Sequence, residues 1–207
     1  MATDRYMKTT NSNDDKFDGI SDSDPNEKVY KIYTQSITIQ THIIELSDTI
    51  EESYKYADLR YFLRDLPAGT MNIQIHLSGR GGYVDGLMPL VNAIKECQVP
   101  VDMVTIGRCY SAHAMLALCG RSLTMKRDSV LMFHSGSDVV GGKLHEMATS
   151  FKHNTKFDRE TSRRILLPFL TEDELAKIMR DQDIHIHWNS VGLKKRMKRH
   201  FGTGDKK

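Results

Sequence analysis

The sequence predicts an α/β domain built on a mainly parallel sheet, and three observations carry that expectation. Strand-like and helix-like segments alternate along the chain, which is the order of parallel strands joined by crossover helices. The 207 residues suit one buried core with tails rather than two domains. One long, mostly polar helical run stands outside the alternation, as expected of a helix that projects from the body or mediates assembly.

Taken in order, residues 1 to 28 are rich in Asp, Asn, Ser and Lys and poor in apolar side chains, so they read as a disordered or partner-dependent arm. SITIQTHIIEL (36–46) reads as one or two strands, and ESYKYADLRYFLRDL (52–66) spaces its apolar residues as a helix does. NIQIHLS (72–78) alternates apolar and polar residues, the period of a strand. YVDGLMPLVNAIKEC (83–97) is helical, with Pro89 in the first two turns, where a missing N–H costs least. The alternation then repeats with strand VDMVTIG (101–107), helix SAHAMLALC (111–119), and the short strands SLTM (122–125) and VLMFH (130–134). The long polar run spans about 142 to 167. TEDELAKIMR (171–180) opens a further helix with a Thr N-cap and an acidic first turn, DIHIHW (183–188) is a strand, and a final helical piece carries a basic tail.

Composition narrows the class. An apolar fraction of 39% and a charged fraction of 27% are ordinary for a water-soluble chain. No stretch reaches the roughly 20 apolar residues a membrane helix needs, and the start is not signal-like, so the expected location is the cytoplasm. Cys97, Cys109 and Cys119 form no CxxC pair and read as small buried hydrophobes. The net charge is +2, yet residues 194–207 carry seven Lys or Arg against one Asp. Such a run can meet nucleic acid or an acidic surface, but a solvated terminus is the commoner meaning, and no nucleic-acid role is expected.

Two segments carry chemistry. In LSGRGGYVDG (77–86), Gly79, Gly81 and Gly82 close a strand and open a helix, which brings bare N–H groups near a ligand. The segment lacks the Lys-Ser/Thr ending of a phosphate loop and the GxGxxG spacing. In GRCYSAHAMLALCG (107–120), Ser111 stands at a strand-to-helix turn, where it is either a helix cap or a nucleophile. A nucleophilic serine needs a base, and His134 ends an apolar strand 23 residues later (134 − 111). An acid to orient that imidazole has two candidates, Asp181 and Asp183. These aspartates also alternate with His185 and His187, a spacing open to a metal reading, although HxH alone is a loose signal and no metal is expected.

The order GRGGYVDG, GRCYSAHA, VLMFH, MRDQD resembles the proteolytic subunit of the Clp protease (ClpP), over roughly residues 37 to 192. The resemblance implies a ClpP/crotonase-like spiral of β-β-α units with a protruding long helix, spanning 29–193 between the arm and a basic tail at 194–207. It implies a serine endopeptidase without cofactor, in which Ser111 is the nucleophile, His134 the base and Asp181 the orienting acid. The backbone N–H groups of Gly81 and Ala112 would form the oxyanion hole. It further implies peptide or unfolded-protein substrates, a homo-oligomeric ring of two stacked heptamers, and an AAA+ unfoldase partner. Crotonase-like acyl-CoA chemistry, an inert ring subunit and a viral maturation protease are the alternatives. The sequence departs from the family at His113, where glycine is usual, and at Arg80, where proline commonly precedes the glycine pair. The segment between serine and histidine is slightly short, and the N-terminal arm is unlike the family's axial loop.

Overall fold

The computed structural model describes residues 31–36, 40–137 and 141–202, so the expected arm at 1–28 lies outside the described residues. In chain order the elements are β1 (Lys31–Ser36), β2 (Gln40–Leu46), a 3-10 turn (Ser53–Tyr56), α1 (Ala57–Arg64), β3 (Thr70–Gly79) and α2 (Val84–Glu96). They continue with β4 (Val101–Tyr110), α3 (Ala112–Ala117), β5 (Ser122–Met125), β6 (Val130–Phe133), α4 (Leu144–Leu166), α5 (Glu172–Ile178), β7 (Ile184–His187) and α6 (Leu193–Phe201). The strands form one mixed sheet in the order β1-β2-β3-β4-β6-β7, with β5 also paired to β4. The interior pairs are parallel, and the two edge pairs, β1 with β2 and β6 with β7, are antiparallel.

The alternation seen in the sequence becomes a core packed on one face of β2 and β3. Ile44 and Leu46 of β2 and Ile73, Ile75 and Leu77 of β3 point inward at every second position. Leu59 and Leu63 of α1 and Leu87, Leu90, Val91 and Ile94 of α2 recur at helical spacing and are buried against them. Each such aliphatic side chain contributes about 1.5–3 kcal/mol on leaving water. Pro89 is the sixth residue of α2, within its first two turns. Cys109 and Cys119 are buried, and burial pushes both thiols up to about 12, so they remain protonated at neutral pH.

Strand β4 positions the site because it has two partners in succession. Its first half, Asp102 to Thr105, pairs with β5, and its last residues, Arg108 to Tyr110, pair with β6. On its other side the register with β3 shifts between Leu77 and Gly79, so the ends of β3 and β4 lie together beyond the irregularity. The sheet thereby turns where β3, β4 and β6 all end.

Helix α4 runs 23 residues, close to the extent its pattern predicts. Its first four turns bury no side chain; only Thr161, Ile165 and Leu166 near its end are buried. Helix α5 has the expected cap, with the Thr171 hydroxyl accepting from the Glu174 N–H at 3.2 Å and the Glu174 carboxylate accepting from the Thr171 N–H at 2.9 Å. The basic run is divided by α6. Arg196 forms a bidentate pair with Glu174 at 2.7 and 2.5 Å, Arg199 donates to the carbonyls of Pro168 and Phe169, and His200 is bonded to the Leu118 carbonyl at 2.8 Å. Lys194, Lys195 and Lys198 face solvent.

Candidate active site

Ser111 follows the last residue of β4 and precedes the first residue of α3, and its backbone is held at φ 54° and ψ −121°. These are the angles of the first central position in a type II′ turn, where glycine dominates because a Cβ clashes with the neighbouring backbone. The strain is held in place from both sides. The Ser111 N–H donates to the Met132 carbonyl at 2.8 Å, and its own carbonyl accepts from the Met115 N–H at 3.0 Å. The hydroxyl makes no cap bond to the helix it precedes. Capping therefore does not explain a serine here, and a strained turn that displays a side chain is a recurrent feature of functional sites.

Parallel pairing brings His134 to the serine. β4 and β6 are in register at Arg108 with Val130, Cys109 with Leu131 and Tyr110 with Met132, so the next residues, Ser111 and then His134, leave adjacent strand ends side by side. Both line one cavity, whose walls are Ala112, Met115 and Phe133 from below and Asp158, Thr161 and Leu166 from the end of α4. Among the described residues no hydrogen bond joins Ser111 to His134. The C-terminal part of α4 thus roofs the site, which its polar sequence did not announce.

Asp181 follows α5 with a positive φ of 60°, and its carboxylate accepts the Ser135 hydroxyl at 2.6 Å, next to His134 in the chain. The antiparallel register of β6 with β7, Phe133 opposite Ile184, places Asp183 opposite His134 when continued by one residue. Both aspartates therefore lie at the right end of the sheet, and neither is hydrogen-bonded to the imidazole. Ser135 and Asp158 are the neighbours that sequence reasoning missed; one is a plain loop serine and the other one of three acids on a charged helix. The alternating Asp181, Asp183, His185 and His187 do not assemble. Ile184 and Ile186 take the intervening positions, His185 packs edge-on to Tyr110, and among the described residues no group of three or more potential ligands gathers.

The glycine turn abuts the serine. A Cβ at Gly81, whose φ is 118°, would lie 2.7 Å from Ser111 Cβ and 3.2 Å from its Oγ, so only glycine permits this approach. The Ala112 N–H is the first of α3 and has no acceptor among the described residues, as expected at a helix start. The Gly81 N–H is engaged: it donates to His113 Nδ1 at 3.2 Å. His113 is fully buried and turned away from the cavity. Burial pushes its imidazole down to about 4, so it is neutral at pH 7.

The chain matches no curated protein sequence. The family model described as Clp protease matches residues 24–190, a span that holds the glycine turn, Ser111, His134 and both aspartates. With that match over most of its length, and with the mixed, mostly parallel sheet that ends at this turn, the chain belongs to the Clp protease family.

Proposed function

We propose that this member of a peptidase family is a serine endopeptidase. Ser111 Oγ attacks the scissile carbonyl while the His134 imidazole accepts its proton; the imidazolium then protonates the departing amine, leaving an acyl-enzyme. Water, deprotonated by the same imidazole, cleaves the ester and returns the proton to Ser111. Asp181 holds the imidazole in the required tautomer and stabilises its cation. The N–H groups of Ala112 and Gly81 receive the oxyanion, where one such donor is worth about 3 kcal/mol of barrier.

The observation that carries this reading is the strained, non-capping serine at the mouth of a cavity it shares with His134. Rotation of the His134 side chain and release of Asp181 from Ser135 would complete the relay, a tightening common when such sites bind substrate. The substrates are peptides or unfolded proteins, cut in an ATP-independent core that an AAA+ unfoldase feeds, in a cytoplasmic setting. Assembly is a homo-oligomeric ring, with two stacked heptamers as the expected form. The unburied first turns of α4, where Leu144, Phe151 and Phe157 are exposed, support contacts between copies.

The test combines labelling by a fluorophosphonate with hydrolysis of a fluorogenic peptide, for the native chain and Ser111→Ala. Labelling and turnover that vanish in the variant support the reading. Turnover that survives in the variant removes Ser111 as nucleophile. Turnover of an acyl-CoA thioester without peptide hydrolysis would assign crotonase-like chemistry, and an unlabelled native chain would make this an inert ring subunit.

A further inference from the structure

The amide that the peptidase reading aims at the oxyanion is already occupied. Gly81 N–H points at His113 Nδ1, 3.2 Å away, within the buried interior behind the serine turn. With Nδ1 accepting, the neutral ring carries its proton on Nε2, which is buried next to the Asp48 backbone. The ring is also wedged beneath the end of β3: a Cβ at Gly79 would come within 2.5 Å of it. A side chain packed so tightly is held in place in part by the bond its Nδ1 makes. Burial supports this geometry by keeping the imidazole neutral, so that Nδ1 can accept.

We propose that His113 is a positioning residue that latches the oxyanion hole, its Nδ1 holding the Gly81 N–H until the developing tetrahedral oxyanion of the substrate takes that amide over. The inference rests on the peptidase reading and adds to it a step that precedes acylation. Turning the Arg80–Gly81 peptide from the interior toward the cavity exchanges one acceptor for another: the N–H leaves a neutral nitrogen and gains a charged oxygen, so the exchange is favourable only once charge develops. A ground state in which Ala112 alone is free discriminates against weakly held carbonyls. Gly81, with its φ of 118° and no Cβ, has the freedom the turn requires.

The test replaces the acceptor while keeping the bulk. His113→Leu removes Nδ1, and His113→Asn places an oxygen near its position. Fluorophosphonate labelling of Ser111 and peptide turnover are measured for both against the native chain. The expected result is labelling about fivefold faster in His113→Leu, equivalent to releasing about 1 kcal/mol, with kcat raised and KM unchanged, and a near-native rate in His113→Asn. A folded His113→Leu chain that labels no faster than native overturns the latch. Should His113→Leu not fold, the deciding measurement is the scalar coupling across the hydrogen bond between the Gly81 and His113 nitrogens in the native chain. Loss of that coupling on phosphonylation of Ser111 supports the proposal, and its persistence overturns it. If neither the native chain nor any folded His113 variant labels, the peptidase reading itself has failed, and the latch falls with it.

Discussion

Replacing Ser111 separates its chemistry from its strain. The hydroxyl makes no cap bond, so Ser111→Ala removes the proposed nucleophile while leaving every backbone bond of the turn, and its stability should lie within about 0.5 kcal/mol of native. Ser111→Gly removes the proposed nucleophile and the Cβ together. A non-glycine residue at φ 54° and ψ −121° costs about 1–3 kcal/mol, and glycine gives back about 0.5–1 kcal/mol through the added freedom of its unfolded chain. The difference leaves Ser111→Gly more stable than Ser111→Ala by about 1 kcal/mol, which for a chain of this size raises Tm by about 2–4 °C. Urea unfolding of the three proteins, with peptide hydrolysis in parallel, checks both halves. Two findings would refute the reasoning: a Ser111→Ala chain destabilised by more than about 1 kcal/mol, which would make the hydroxyl structural, or a Ser111→Gly chain no more stable than Ser111→Ala, which would mean the turn stores no strain.

Three further predictions follow from the same geometry. Asp181→Asn should lower kcat by about 10²–10⁴-fold and Asp183→Asn by less than tenfold, because Asp181 is the acid tied to the His134 loop through Ser135; the reverse order in steady-state kinetics would move the orienting role to Asp183. Gly79→Ala should cost about 1–3 kcal/mol by driving a methyl into the His113 ring, and most of that cost should disappear when His113→Ala is made alongside, as a double-mutant cycle of denaturation free energies would show. Glu174 is held down at about 2 by the Arg196 guanidinium bonded to it, so its contribution is complete above its unfolded value near 4.5 and is lost as pH falls toward 2. Glu174→Gln should therefore lower stability by about 2 kcal/mol at pH 7 and by little near pH 2, measured by denaturation across that range.

Local chemistry in the sequence determined the strands and helices whose apolar residues recur at a single period. Ile73, Ile75 and Leu77 alternate because one face of a strand is buried, and Leu87, Leu90, Val91 and Ile94 recur because one face of a helix is, so both elements are readable without knowing what covers them. The Thr171 cap was legible for the same reason: its bonds reach only three residues along the chain.

The site divides along the same line. Its glycine turn and its serine carry local signatures, and the resemblance of four ordered motifs named the remaining positions. What only tertiary structure decided is what crosses between strands. The pairing of β4 with β6 sets Ser111 beside His134, the end of α4 folds over both, and the shifted register of β3 places Gly81 against Ser111 Cβ. Nor could the sequence say that the hydroxyl caps nothing, or that His113 holds the Gly81 amide from 32 residues away. A backbone N–H looks the same in every sequence, and its partner is chosen by which buried acceptor the packing brings within about 3 Å.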